Sequence, residues 1–202
     1  MSRFPTIPPQ QCTEAQIGVH NDTAQIFSRL PSHIVSKDAE GQLLGPYSPL
    51  LYTEDISQTW FALAFAVMRQ KRLSVKEKEL CILAVLSRYD APYVHYAHSE
   101  IAVRVGFTKV QVQSALHGKL PEELDERESS VYNLSLHLAN QRRPMEDSVF
   151  EEARKTLGRD EIVGVAHIVS GYIYVAMLTN ISNQGVPEAG EDMFQATKNP
   201  KL

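Results

Sequence analysis

The chain has 202 residues, 43% of them hydrophobic and 22% charged, enough to bury a real core in one domain without covalent staples. Lys and Arg number 20 against 24 Asp and Glu, a formal net charge of −4, and no basic block exceeds two residues, so the electrostatic footprint of a nucleic-acid or anionic-membrane binder is missing. The two cysteines, Cys12 and Cys81, lie far apart in unlike surroundings, which argues against a disulfide framework.

The N-terminal MSRFPTIPPQQ is broken by three prolines where a signal peptide needs an apolar run, and no window approaches 18 uninterrupted apolar residues. A cytoplasmic, reducing compartment is the expected address. The C-terminal Pro200-Lys201-Leu202 differs from the peroxisomal S-K-L signal by its proline, which leaves peroxisomal import as the minor alternative.

In chain order, residues 1–12 read as a flexible Pro-rich N-terminus, 13–187 as one helical domain and 188–202 as a tail. A short helix is expected over 22–31 (DTAQIFSRLP), stopped by Pro31. The segment 36–54 carries Gly41, Gly45, Pro46 and Pro49 and reads as an irregular loop that packs Leu43, Leu44, Leu50 and Leu51 inward. Helical patterns follow at 55–71, 74–88, 90–105, 108–117, 125–141, 146–157 and 160–181. Asp55, Ser74, Asp90, Thr108 and Asp160 mark their starts as caps, and Gly106, Gly118, Gly158 and Gly185 mark stops. The fold class is all-α, without repeats.

Projected at 3.6 residues per turn, 74–88 puts Val75, Glu79, Ile82, Leu83 and Leu86 on one face, with Lys76, Glu77 and Lys78 elsewhere. Glu79 is thus a carboxylate aimed inward, and burial demands either a neutral form or a partner. In 90–105, His98 shares the apolar face with Val94, Ile101, Ala102 and Val105, and His95 neighbours it at i, i+3. An inward imidazole beside an inward carboxylate suits a general base. Two other readings stay open at this point: a structural carboxylate held by backbone groups or an Arg, and a pair of hydrogen-bonded core histidines.

Zn²⁺ ligation would need a fourth ligand and a spacing such as H-E-x-x-H, neither of which is visible, so no metal is assigned. No G-x-S-x-G elbow occurs, and Cys81 lies in an apolar run that raises a thiol pKa, so covalent catalysis is weakly supported. Tyr93, Tyr96, Tyr172 and Tyr174 are candidate hydroxyl donors to a substrate oxyanion, with aromatic packing as the alternative for each. His20, His33, His117 and His167 read as surface or packing residues.

The stretch KEKELCILAVLSRYDAPYVHYAHSEIAVRVGFTKVQVQSALHG resembles the signature of the carboxymuconolactone decarboxylase and AhpD-like family. GQLLGPYSPLLYTEDI upstream and GYIYVAMLTNISNQGVP downstream are similar to its lead-in and exit, so the likeness covers about residues 40–187. The resemblance implies a compact all-helical protomer that forms a homo-oligomer (trimer, hexamer or dimer) with a cleft near a subunit boundary. It places the family's glutamate at Glu79 and its histidine at His98. The peroxidase branch's C-x-x-C positions fall at Ala91 and Val94, so a disulfide redox cycle has no thiols to run on. The decarboxylase branch's Glu and Trp fall at Val94 and His95, a change that adds an imidazole and removes a carboxylate.

The resulting expectation is a lyase or isomerase that needs no cofactor and acts on a small organic acid, lactone or polyketide-like substrate. His98, Glu79 and His95 are its catalytic candidates, and Tyr93, Tyr96 and Tyr172 its substrate-binding candidates. The alternatives are a diverged cyclase or isomerase of secondary metabolism and a non-catalytic ligand-binding or assembly module.

Overall fold

The computed structural model describes residues 3–183 apart from Thr6, Arg29 and Pro31, together with Val186. The expected stops at Pro31 and Gly185 and the tail 188–202 lie outside the described residues. Among the described residues the chain is all-helical: α1 Glu14–Phe27, α2 Tyr47–Leu50, α3 Glu54–Arg69, α4 Val75–Leu86, α5 Pro92–Arg104, α6 Lys109–Leu116, α7 Glu126–Asn140, α8 Asp147–Arg154 and α9 Arg159–Ser182. One isolated antiparallel bridge, Lys37 with Leu43, is the β pairing among them.

The first helix begins at Glu14, well before the 22 read from the sequence. Its start is set by a capping box: the Thr13 hydroxyl accepts from the Gln16 N–H at 3.2 Å, and the Gln16 side chain accepts from the Thr13 N–H at 2.9 Å. The same device opens α4 (Ser74 and Glu77), α6 (Thr108 and Gln111) and α7 (Asp125 and Glu128). Gly106 and Gly118 end α5 and α6 with positive φ, as stops should; Gly158 does not, and its N–H instead donates to Glu161 in the first turn of α9.

The chain divides into two compact units. Unit 1 comprises Met1–Phe65, Ala91–Ala97 and Val175–Leu202. Its core is Val19, Leu43, Leu50, Leu51 and Phe61, with Tyr47, Trp60, Phe65 and Leu178 packed against it. Leu44, expected inside, is half-buried. The Pro-rich segment makes contacts of its own. Ile7 packs on this core, the Tyr52 hydroxyl donates to Pro5 O, and the Arg3 N–H donates to Ser182 O at 2.9 Å.

Gly45 is the tight point of unit 1. Its φ is +59°, and a Cβ there would lie 2.3 Å from Tyr93 Cδ1. The Tyr93 ring is pinned by its hydroxyl, which donates to Val35 O at 2.5 Å, so it has little room to yield. Gly45→Ala is therefore expected to cost about 2 kcal/mol and lower Tm by about 4–8 °C, measured by thermal unfolding. An unchanged Tm would show that the loop relaxes.

Unit 2 comprises Ala66–Asp90 and His98–Tyr174. At its centre α4 packs against α7 and α6, with Leu80, Cys81, Ile82, Leu83, Ala84 and Val85 fully buried. The single-stripe expectation for α4 fails here. Glu77 and Lys78, placed off the apolar face by that projection, are buried, whereas Val75 is exposed. A helix enclosed nearly all round has no outer face to hold them, and their charges are met locally. Lys78 Nζ donates to Met68 O at 2.9 Å and Gln70 O at 2.7 Å, closing the C-terminal end of α3. The Tyr132 hydroxyl donates to Ala115 O at 2.7 Å and ties α7 to α6.

The long α9 has the length and mean hydropathy, 1.8 over its best window, of either a core helix or a membrane span. Val165, Ile168 and Val169 are buried in unit 2, and Ala176, Thr179 and Ser182 in unit 1.

Candidate acid–base site

Unit 2 brings together three of the sequence candidates: Glu79, His98 and Tyr172. Glu79 sits one turn into α4, held at that depth by the apolar residues that follow it. His98 sits in the middle of α5. Glu79 Oε2 and His98 Nδ1 are 2.9 Å apart, and the side chains retain 4% and 12% of their exposure. A buried carboxylate next to Nδ1 selects the tautomer in which that nitrogen carries the proton and donates it to Glu79. Nε2 is then the basic nitrogen, and it makes no hydrogen bond to a described residue. The Tyr172 ring from α9 meets the imidazole edge to face, centroids 5.0 Å apart and planes at 88°. The imidazole is therefore fixed on one edge by a charge and on one side by an aromatic ring, the arrangement an acid–base group needs to hold its aim.

The other candidates belong to unit 1. His95, Tyr93 and Tyr96 are buried there. The hydroxyls of Tyr93 and Tyr96 donate to the backbone carbonyls of Val35 and His33, so both are committed to holding the 33–35 segment. Burial, with Tyr47 and Tyr96 adding to it, pushes the Tyr93 phenol far above its usual range. Tyr174 is half-buried. Among the remaining histidines, His117 is exposed on its own helix end, against Gln113 O at 2.7 Å. His167 is exposed on a groove of about 460 Å³ lined by Leu138, Val169 and Ile173. His20 is buried.

Cys81 is enclosed in α4, and burial pushes its thiol up to about 12 despite a hydrogen bond from Ser135. Cys12 is half-buried and also free. Neither sits in a C-x-x-C pair. Among the described residues no group of three or more His, Cys, Asp or Glu side chains could hold a metal ion.

One cluster escapes single-helix patterning. Arg127 of α7 places Nε 2.5 Å from Glu77 Oε1 and Nη2 3.0 Å from Glu161 Oε1, and Nη2 also donates to Arg72 O at 3.1 Å. The hydrogen bond from Arg127, seconded by the Gly158 N–H, holds the Glu161 carboxyl below the usual carboxylate range. The guanidinium is raised in turn, first by Glu161 and then by Glu77. The partners lie far apart in the chain, on α4, α7 and α9, so only an arginine spaced to face two inward carboxylates hints at it.

Comparison with known proteins bears on this geometry. Residues 54–134, the span that carries Glu79 and His98, match the profile described as "CMD: Carboxymuconolactone decarboxylase family". That stretch of the chain is thus similar to the carboxymuconolactone decarboxylase family. Solved structures extend the likeness over nearly the whole chain. The AhpD core of an uncharacterized peroxidase-related protein from Ralstonia eutropha JMP134 is 15% identical, with 99% of this chain and 98% of that one covered and a TM-score of 0.75. The debrominase Bmp8 in its apo form is 12% identical, with 98% of each chain covered and a TM-score of 0.73. A cysteine-to-alanine variant of Bmp8 in complex with 2,3,4-tribromopyrrole is 13% identical, with the same coverage and a TM-score of 0.71. At such identities these structures establish an AhpD-like fold and nothing finer. No curated protein matches the sequence. The family's decarboxylases, and a debrominase and a peroxidase-related protein on the same fold, show that this scaffold serves enzymes of more than one chemistry.

Proposed function

We propose that this chain is a carboxymuconolactone decarboxylase-like lyase or isomerase that works by proton transfer on a small organic acid, lactone or polyketide-like substrate. The observation that carries the reading is the 2.9 Å pairing of buried Glu79 with His98, with Tyr172 against the ring. In this reading His98 Nε2 is the group that moves the proton, and Glu79 fixes the tautomer and balances the charge as the imidazolium forms. Tyr172 steadies the ring. The proposal asks nothing of the Tyr93 and Tyr96 hydroxyls, which carbonyls already occupy, nor of His95.

For a lactone acid the step balances simply. The substrate's carboxylic acid gives its proton to His98 Nε2, the carbon–carbon bond to the resulting carboxylate breaks, CO₂ leaves, the electron pair remains as a dienolate, and the imidazolium returns that proton to carbon. A thiol route is disfavoured by the two isolated cysteines, one of them sealed in α4. A homo-oligomer in the cytoplasm forms part of the same proposal, and the exposed Met177 and Ile181 of α9 support a partner surface.

The experiment is incubation of the purified protein with γ-carboxymuconolactone while CO₂ release is followed against a heat-inactivated control. Release supports decarboxylation. Proton exchange at the carbon without release moves the assignment to an isomerase. Neither event, on this lactone or on related small acids, tells against the proposal.

A further inference from the structure

His20 stands on α1 beside the core residue Val19, only 6% exposed, and neither of its ring nitrogens has a hydrogen-bond partner among the described residues. Buried polar side chains are almost always hydrogen-bonded, because burial without a partner forfeits the bonds water gave. A neutral imidazole tolerates this at a cost. An imidazolium, with a full charge and two N–H donors, does not.

Among the described residues no carboxylate offsets that charge, and the one charged group acting on the ring is the Lys37 ammonium. α2, which packs on α1, is Tyr47-Ser48-Pro49-Leu50, and burial drives its one titratable group, the Tyr47 phenol, away from ionisation. α3 brings the neutral Gln58 amide against α1 at Gly18. The connection from α1 to α2 brings Lys37, a cation that opposes protonation of the ring. On α1 itself the Asp22 carboxyl is held above its usual range by burial. Burial first, and Lys37 second, keep His20 below the ordinary imidazole value of 6.5.

We propose that His20 is an acid-operated latch in unit 1: the neutral ring lets α1 pack, and a proton on it drives α1 off its core. A folded-state value below that of the unfolded chain means that the stabilisation is complete above pH 6.5 and is lost as pH falls through it. Below that point the folded-to-unfolded ratio drops about tenfold per pH unit until the folded ring itself titrates.

The test compares the wild type with His20→Leu between about pH 7.5 and 5, a window that brackets the unfolded imidazole value, reading denaturant midpoints and the hydrogen exchange of α1 amides. The wild type is expected to lose stability along this slope, with α1 amides losing protection first, and His20→Leu is expected to lack that component. An equal slope in the two proteins overturns the proposal. Should the variant fail to fold, NMR titration of His20 in the wild type decides instead. A midpoint below 6.5 sustains the latch, and one at or above 6.5 overturns it.

Discussion

His98→Ala is expected to lower kcat by about 10²- to 10⁴-fold on whatever substrate the wild type turns over, the usual weight of a positioned general base. The loss should fall on kcat more than on KM, because the imidazole acts in the proton transfer rather than in holding the ground state. Truncation also strips the buried Glu79 of its hydrogen bond to the ring, which costs about 1–3 kcal/mol of stability. Glu79→Gln/His98→Asn removes that complication by making both groups neutral, and it should be as inactive as the alanine variant while folding more stably. Glu79→Gln alone leaves the imidazole in place and should lose less. Steady-state kinetics on variants checked by circular dichroism would settle the matter, and a folded His98→Ala enzyme with wild-type turnover would remove His98 from the mechanism.

The largest expected effect on stability lies elsewhere. Arg127→Met takes the guanidinium from buried Glu77 and deprives Glu161 of its main partner. Breaking a buried pair from one side costs about 3–5 kcal/mol, and since the guanidinium keeps 34% of its exposure the lower figure, about 3 kcal/mol, is expected. The pH dependence follows from Glu161. Its carboxyl is held below the ordinary value of 4.5, so its contribution is present above that pH and is lost as pH falls through the folded value. The wild type should therefore lose stability on acidification below about pH 5 more steeply than Arg127→Met. Urea midpoints at about pH 7 and pH 4, on either side of the carboxylate range, would show both effects, and a variant as stable as the wild type at neutral pH would mean that the cluster is ornamental.

These two sites differ in how far the sequence announced them. Glu79 and His98 were legible because a charged and a basic side chain fell on apolar stripes of two neighbouring helices, and periodicity alone brings such residues inward. That they meet is a tertiary fact that spacing cannot state. A stripe projection puts Glu77 and Lys78 off the apolar face because it assumes one buried face, whereas α4 is enclosed by α6 and α7 and its charges are met by Arg127 and by main-chain carbonyls. Tyr93, Tyr96 and Tyr172 looked alike in sequence. The first two spend their hydroxyls on the 33–35 backbone, and only the third lies against His98.

The helices themselves were nearly all readable, since Ser74, Thr108 and the glycines at 106 and 118 act as caps and stops where local chemistry says they should. The start of α1 was legible too, in Thr13 and Gln16, but a capping box ahead of a weakly amphipathic helix carries less signal than the proline that follows it. His20 is indistinguishable in sequence from a surface histidine, because what sets it apart is burial without a hydrogen-bond partner among the described residues.

The mechanism stands or falls on Glu79 preparing His98, and the most direct measurement is the tautomer of that imidazole. A long-range ¹H–¹⁵N spectrum of histidine-labelled protein, taken at a pH where the ring is neutral, should show the His98 proton on Nδ1 and a bare Nε2, with that preference lost in Glu79→Ala. A proton on Nε2 in the wild type would mean that the nitrogen assigned to the substrate is not a base, and would contradict the mechanism.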